Sequence, residues 1–420
     1  MDIFVGVIVG LLVLMLLVTM HELGHFIAAR RNGVRVLEFG ICFPPRAIAW
    51  VRDPKTRKWK RLPRKDWKKP QEGLIFSLNW LPIGGFCQMD GESAADTRKG
   101  TFGAASFWSK TKILFAGVAM NWLIAFIIFT ILAWAGMPEF IEGQFKVSAD
   151  TRVESIPVRI TSVAEGSPAE KAGLVEGDYI LAVNGETVKY SSDISDINTK
   201  HAGEEVTYSV IRGATEECIK RNECQDETCE CYGKTEYIET TATLNPIDSE
   251  YLLGVTMAST QALTYSTWSA PIVGAGLTLQ LTGETFKGVG IMIGNLVSGA
   301  ARLFSPSEDV REEGQAALSE VRDSVSGPVG IIGVLFPAFT SAGPSNLAFL
   351  AALVSVSLAC MNVLPIPALD GGRWLLIAIY KIRGKTLSKE TEEKIVSRAM
   401  MVLLALIFLV TILDIIRIAQ

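Results

Sequence analysis

The chain has 420 residues, a formal net charge of −4, 49% hydrophobic residues and 20% charged residues. Its mean hydropathy is +0.30. This composition is too apolar for an ordinary soluble protein and too charged for a chain that lies wholly in lipid. It predicts several membrane-spanning helices combined with a polar domain.

Residues 3–29 form the first apolar run, which has no charged residue between Asp2 and His21. A bilayer core of roughly 30 Å needs about 20 helical residues, so this run predicts a spanning helix. A cleaved signal peptide is disfavoured because no basic residue precedes the run and no small-residue cleavage site is evident.

Basic residues crowd into the stretch directly after this run. Residues 30–69 contain fourteen Lys and Arg but only three acidic residues, Glu38, Asp53 and Asp66. The positive-inside rule predicts that the loop of residues 30–106 is cytoplasmic and that the N-terminus is outside. The alternative, a nucleic-acid site, is disfavoured because no aromatic residues are interleaved in a recognisable binding motif.

Three further apolar runs give four predicted spans in all, and they cover about residues 113–137, 346–369 and 399–418. Pro365 and Pro367 interrupt the second of these runs. Residues 74–90 are apolar but short, which predicts strands or a re-entrant hairpin near the membrane. For residues 271–304 we favour amphipathic surface helices over a fifth span.

Between the second and third spans lies a polar stretch, about residues 153–256. It contains the short alternating segments "VRITSV", "YILAVNG", "VTYSVIRG" and "YIETTATL". Such alternation predicts a small β-rich domain. The topology predicts that this domain lies outside the cytoplasm.

His21, Glu22 and His25 form an HExxH motif inside the first apolar run. On a helix, positions i and i+4 share one face, so both imidazoles can bind one metal ion while Glu22 acts as general base. An ionisable side chain at the centre of a membrane helix costs roughly 2.5 to 3.5 kcal/mol. Three such groups therefore favour a zinc site over chance. We expect the remaining histidine, His201, to be a solvated surface residue.

Two histidines need a third ligand, and Asp370 in "MNVLPIPALDGGRW" is the candidate. It follows an apolar run with two prolines, and unwound backbone at membrane depth is tolerated only where it is buried in protein or lines a wet cavity. The alternative is that Asp370 caps the next helix, with two glycines giving the turn. Because the HExxH motif supplies only two metal ligands, we favour Asp370 as the third ligand over Asp370 as a helix cap.

These residues together resemble the site-2 protease family of intramembrane zinc metalloproteases, most closely the bacterial regulator-of-sigma-E type. The resemblance implies one Zn²⁺ per chain held by His21, His25 and Asp370, with Glu22 as the catalytic acid/base. It implies that Asn362 lies near the substrate backbone. Asn121, in "GVAMN", is similar to the asparagine of the family's GPxxN stretch, although Val118 replaces the usual proline.

Other stretches extend the resemblance. "SGPVGI" at 326–331 matches a family stretch, and "LPIGGFCQM" at 81–89 resembles the family's membrane-associated β-hairpin, which presents the substrate as a strand. Cys87 and Gln88 depart from the expected residues there. "GSPAEKAGLVEGDYILAVNGETV" at 166–188 resembles a PDZ domain. The Gram-negative relatives usually carry two such domains, whereas this chain shows one.

The stretch "YLLGV" at 251–255 resembles the carboxylate-binding loop of a circularly permuted PDZ domain. The resemblance implies that Leu253, Gly254 and Val255 bind peptide C-termini.

Four cysteines, Cys218, Cys224, Cys229 and Cys231, lie in one loop of this domain. An extracytoplasmic position favours two disulfides, with a Cys₄ zinc site or free thiols as alternatives. Cys42, Cys87 and Cys360 are interpreted as apolar fillers.

We therefore expect a polytopic α-helical membrane protein with about four transmembrane helices, a membrane-associated β-hairpin and an inserted β-rich PDZ domain. The expected parts are residues 1–137 (first half of the protease core), 153–256 (PDZ domain), 257–344 (surface helices) and 345–420 (second half of the core).

The predicted function is zinc-dependent cleavage of single-span proteins, such as anti-sigma factors or remnant signal peptides, in the bacterial cytoplasmic membrane. The alternatives are a non-catalytic membrane PDZ scaffold with a structural metal, and a zinc transporter. A transporter needs polar residues along a path through several helices, and few exist outside the two motifs.

Overall fold

The computed structural model describes residues 2–419 except 68, 94–95, 142, 155–156, 189–190, 215–234, 248, 250, 259–262, 325–326 and 386. The chain divides into two compact units. One, the membrane unit, comprises Met1–Leu132 and Ala270–Gln420. The other, the inserted unit, comprises Ala133–Ser269. The four cysteines between positions 218 and 231 lie outside the described residues.

The described helices are, in chain order, α1 (Asp2–Arg31), α2 (Phe107–Ala135), α3 (Pro168–Lys171), α4 (Ser191–Lys200), α5 (Ala270–Arg302), α6 (Glu308–Ser324), α7 (Pro328–Ser341), α8 (Pro344–Val363), α9 (Asp370–Ile382) and α10 (Lys389–Ala419). Four of them, α1, α2, α8 and α10, are long and apolar enough to cross a membrane. This number agrees with the four predicted spans. Helix α8 ends at Val363 because Leu364 has an extended ψ of 146° and Pro365 follows it.

The described strands are β1 (Val36–Arg52), β2 (Trp59–Arg61), β3 (Ile75–Met89), β4 (Met137–Pro138), β5 (Thr151–Glu154), β6 (Val158–Val163), β7 (Tyr179–Val183), β8 (Glu186–Thr187), β9 (Glu205–Arg212), β10 (Glu236–Thr243), β11 (Val255–Ala258) and β12 (Leu263–Ser266). They form three sheets, ordered β2-β1-β3, β10-β9-β7-β6-β11 and β4-β12-β5, with β8 added beside β7. The first sheet belongs to the membrane unit and the other two to the inserted unit.

The sheet of the membrane unit is a bent hairpin, because β1 and β3 pair twice. Residues 36–41 of β1 lie between residues 75–78 and residues 85–89 of β3. The strands bend where Phe43 pairs with Leu81. The tip of the hairpin is apolar and exposed, and it comprises Ile41, Phe43, Leu78, Trp80 and Leu81. An exposed apolar tip of this kind suits insertion into lipid. Residues 75–89 form a strand, one of the two structures that the sequence predicted for residues 74–90.

Residues 270–302 form the single helix α5, which is long enough to cross a membrane but is not among the four helices that are also apolar enough. It packs against the polar helix α6, and Gly314 lies so close that an added Cβ would meet the Gly299 carbonyl oxygen at 2.9 Å. The structure therefore has a long helical hairpin where the sequence predicted surface helices.

The inserted unit has one main core under the sheet that contains β6, β7, β9 and β10. These strands contain the four alternating segments found in the sequence. Tyr208 is fully buried, and its hydroxyl donates to Asn198 Oδ1 of α4 at 2.6 Å. The Arg212 guanidinium pairs with the buried Asp178 carboxylate at 2.7 Å.

Helix α10 is held at its two ends by buried carboxylates, whereas its middle is exposed. Asp414 accepts hydrogen bonds from the backbone N–H groups of Gly327 (3.1 Å) and Gly330 (2.8 Å), at the start of α7. At the other end, Glu392 lies 3.6 Å from the Arg373 guanidinium of α9. The two carboxylates are 22 positions apart, or about 33 Å along the helix, close to the thickness of a bilayer core.

We predict that Asp414→Ala lowers the free energy of unfolding of the detergent-solubilised protein by about 2 kcal/mol, since two backbone donors lose their acceptor. Thermal unfolding measures this change. Thr411→Ala, one turn away on the same helix, is the control, because the Thr411 hydroxyl bonds only its own helix at Ile407 O. Equal unfolding temperatures for Asp414→Ala and the control would contradict the prediction.

Candidate metal centre

Two elements bring three donor atoms together inside the membrane unit. His21 Nε2 lies 3.0 Å from His25 Nε2 on α1. Asp370 Oδ2, at the start of α9, lies 3.1 Å from His21 Nε2 and 3.2 Å from His25 Nε2. All three side chains are largely buried. The residues predicted as ligands, 349 positions apart at the extremes, therefore form one triangle.

This triangle fits a bound zinc ion. Ligand atoms about 2.0 to 2.1 Å from one tetrahedral ion lie roughly 3.3 Å from each other. Hydrogen bonds alone stabilise this arrangement poorly. Each of the three pairs of donor atoms would need its own proton between two lone pairs. A single central cation serves all three pairs at once.

The far sides of both imidazoles are also held. His25 Nδ1 lies 2.8 Å from the Ile113 carbonyl oxygen of α2, so Nδ1 carries the proton and Nε2 keeps its lone pair. Asn121 Nδ2 lies 3.4 Å from His21 Nδ1, while Asn121 Oδ1 is buried without a hydrogen-bond partner in the described part of the chain. Rotating this amide by 180° would give His21 Nδ1–H an acceptor. The backbone carbonyl oxygen of Asn121 accepts a hydrogen bond from the Ser355 hydroxyl of α8 at 2.9 Å.

Two glycines allow α1 and α2 to cross at the site. A Cβ on Gly24 would lie 2.3 Å from the Ala116 carbonyl oxygen. A Cβ on Gly117 would lie 2.6 Å from both His21 Nε2 and His25 Nε2. Gly117 was not singled out as a site residue from the sequence, although it begins the "GVAMN" stretch. The HExxH motif needs a close neighbour helix, and only a glycine there admits both imidazoles.

The turn before α9 places Asp370. Cβ atoms on Gly371 and Gly372 would each lie 2.0 Å from a backbone carbonyl oxygen, those of Val363 and Ile366. Both glycines are therefore needed for this chain crossing. The alternative of a capping role for Asp370 is not realised, since the N-cap residue is Leu369, with no side-chain cap bond.

Glu22 faces the same space as the two histidines. Its carboxylate belongs with their ring nitrogens to a cluster whose atoms lie within 4.8 Å of one another. The backbone of Cys87 in β3 lies near the Glu22 carboxylate. Burial, together with the nearby Glu22 charge, raises the pKa of the Cys87 thiol, which therefore stays neutral.

A cavity of about 1130 Å³ reaches the site. Its walls include Gln88 and Met89 at the end of β3, Asp370 and Arg373 of α9, and the first turns of α10. This volume is large enough for an extended peptide segment.

The remaining predicted residues are not among the three donors of the triangle. The Asn362 amide donates to the Leu358 carbonyl one turn back on α8, at 2.9 Å. Leu253, Gly254 and Val255 line a cavity of about 310 Å³ in the inserted unit. His201 is exposed and lies 2.8 Å from Glu204, as expected for a surface residue. The three cysteines that the sequence analysis interpreted as apolar core residues are buried free thiols: Cys42, Cys87 and Cys360.

The sequence over residues 9–407 matches a known peptidase family. The chain belongs to peptidase family M50. It is 26% identical to the regulator of sigma-W protease RasP of Bacillus subtilis, with 99% of each chain covered. It is 23% identical to the zinc metalloprotease RasP of Bacillus licheniformis, over 98% of this chain and 99% of the relative. It is 30% identical to the zinc metalloprotease RasP of Shouchella clausii, over 71% of this chain and 57% of the relative.

Membership of this family confirms the resemblance noted in the sequence. The protein is a membrane-embedded zinc metalloendopeptidase of the site-2 protease type, and it acts in regulated intramembrane proteolysis. A non-catalytic scaffold is not favoured.

We predict that Gly117→Ala strongly reduces zinc binding, because the added methyl group would lie within 2.6 Å of both imidazole Nε2 atoms. Metal analysis of the purified protein should show well under one zinc per chain. Gly288→Ala, in α5 of the same unit, is the matched control, since a Cβ there meets no described atom within 4 Å. Full zinc content in both variants would show that α1 and α2 do not cross as closely as described.

Proposed function

We propose that His21, His25 and Asp370 hold the zinc ion and that Glu22 is the catalytic acid/base of peptide-bond hydrolysis within the membrane. The convergence of the three donor atoms at 3.0 to 3.2 Å is the observation that carries this assignment. When bound, zinc supplies Lewis-acid polarisation and lowers the pKa of a coordinated water towards about 7.

Glu22 moves the protons. Its carboxylate takes a proton from the attacking water and later donates it to the leaving amine. The backbone of Cys87 in β3 lies beside this carboxylate. Ile113 and Asn121 fix the ring planes of His25 and His21 from α2.

The substrate is proposed to bind as an added strand along residues 85–89 of β3. These residues pair with β1 on one side only, and no other described strand pairs with them. Because Cys87 lies in this stretch, a strand added there runs past Glu22. Strand addition exposes a peptide carbonyl that a helix would keep hydrogen-bonded. We propose that Asn362 positions the substrate backbone, and that the fully buried Asn121 acts through His21.

The inserted unit is proposed to be a PDZ domain that binds peptide C-termini. Its groove lies beside β11, which pairs with β6 at the edge of the sheet. The loop before β11 contains Gly254 at φ +80°, where a Cβ would lie 2.4 Å from the Ser167 Cβ. A left-handed glycine suits a turn whose backbone N–H groups converge on a carboxylate.

We further propose that the N-terminus and the inserted unit are extracytoplasmic, the basic loop of residues 30–106 is cytoplasmic, and the membrane is the bacterial cytoplasmic membrane. The substrates would be single-span proteins, such as anti-sigma factors or remnant signal peptides. A relative named as a regulator of sigma-W protease supports the first class.

We predict that Glu22→Gln retains one zinc per chain but lowers cleavage of a tagged single-span substrate at least a hundredfold, because an amide cannot take the proton. His21→Ala should lose both zinc and cleavage. Metal content and gel-based cleavage in detergent, with and without a chelator, measure the two effects. Substantial cleavage by Glu22→Gln would remove Glu22 from the mechanism.

We predict that the full-length protein binds a peptide with an apolar C-terminal residue and a free carboxylate, and binds the C-terminally amidated peptide far more weakly. Gly254→Ala should weaken this binding, as measured by fluorescence anisotropy. Gly185→Ala is the control, because it shares the φ of +80° while its Cβ meets no described atom within 4 Å. Equal binding of the free and amidated peptides would contradict a carboxylate site.

A further inference from the structure

A second cavity, of about 620 Å³, lies at the base of the hairpin sheet. We call it the base cavity. Four arginines line it: Arg30, Arg35, Arg52 and Arg57. They come from the last turn of α1, the segment before β1, the end of β1 and the turn after β1. The fold therefore gathers four guanidinium groups that the sequence spreads over 28 positions.

No carboxylate of the described residues neutralises these guanidinium groups within 4.0 Å. Arg35 donates to the backbone carbonyl of Glu72, and Arg52 donates to the backbone carbonyl of Arg57. Arg30 lies 5.6 Å from the centre of the Phe26 ring, and Arg52 lies over Trp59 at 5.9 Å. Backbone carbonyls and aromatic faces position the groups without cancelling their charge.

Two acidic residues also line the base cavity, but one is already committed. Asp53 accepts from the backbone N–H groups of Thr56 and Lys55, and its carboxylate pairs with Lys60 at 3.0 Å. The Thr56 N–H and Lys60 lower the pKa of Asp53 to about 2, so this carboxylate is ionised and paired outside the arginine cluster. Glu72 is the other acidic residue. Four arginines therefore face two carboxylates, and the net charge of the cavity lining is positive.

The base cavity lies at the level of the bilayer surface. Arg30 lies in the last turn of α1, about 8 Å along the helix from His25. The hairpin runs from its arginine base to its apolar tip over seven residues, from Val36 to Phe43, or about 23 Å. A sheet with an apolar tip in the hydrocarbon has its base among the lipid headgroups. Four unpaired guanidinium groups at that level favour a phosphate ligand, since the arginine fork matches phosphate oxygens.

We propose that the base cavity binds the phosphate group of an anionic phospholipid at the end of α1. Basic pockets beside membrane helices on the cytoplasmic side suit anionic lipid headgroups. Inorganic phosphate shares the same chemistry, but the position at the headgroup level favours the lipid.

The test compares two variants of the full-length protein that each lose four positive charges from the same loop. The cavity variant replaces its four arginines by glutamine. The control variant does the same outside the cavity, at four exposed positions: Lys55, Lys58, Arg61 and Lys65. Fluorescent phosphatidylglycerol is titrated in detergent micelles, with fluorescent phosphatidylcholine as the zwitterionic reference, and zinc content reports on folding.

We expect the wild type and the control variant to bind phosphatidylglycerol at least about tenfold more tightly than phosphatidylcholine, and the cavity variant to lose this preference. Equal losses in both variants would mean general surface charge and would overturn the proposal. Displacement of the lipid by millimolar inorganic phosphate would assign the site to free phosphate instead.

If the cavity variant lacks zinc, Arg35→Lys with Arg52→Lys replaces it, because this pair keeps the charge but removes the guanidinium fork. A weaker preference for phosphatidylglycerol with zinc retained supports the proposal. An unchanged preference in this double variant overturns it.

Discussion

The structure depends on the meeting of three charged or polar donor atoms at one point within the membrane. Each of these groups is costly in lipid, and together they are tolerated because a single cation can satisfy all three. The requirement extends outward from the ligands. It demands a glycine on α2 at Gly117, where any side chain would occupy the position of the rings. It also demands a tight turn before Asp370, which two glycines permit.

The same constraint is met by irregular backbone beside this site. Helix α8 ends at Val363, and the chain crosses itself before α9 begins. Strand β3 approaches α1 so closely that a Cβ on Gly84 would lie 2.7 Å from Val18. Backbone polar groups in lipid must find partners within the protein. Here β1 pairs with one side of residues 85–89 of β3, and no described strand pairs with the other side.

Features that lie within one segment of the chain could be predicted from the sequence, whereas features that depend on contacts between distant segments could not. Hydropathy reports on about twenty residues at once, so four spans were predicted, although the third ends earlier than its apolar run suggests. The HExxH spacing is a property of one helix. The need for Gly117 depends on how two helices cross, and the register of β1 on β3 depends on two bends. The link between Asp414 and α7 joins segments 84 positions apart, and no local pattern signals it.

The hairpin sheet joins the chemistry to the lipid surface through its own geometry. Residues 85–89 pass Glu22 and continue towards the base cavity, since Met89 pairs with Val36, which lines that cavity. A strand rises about 3.3 Å per residue, so a vertical shift of the sheet by that distance would move the next substrate residue to Glu22. A headgroup held at the base would fix the depth of the sheet relative to the bilayer. The position of the cleaved bond in a spanning substrate would then be set by lipid contact at the base of the sheet and by the residues of α1 that we propose as metal ligands.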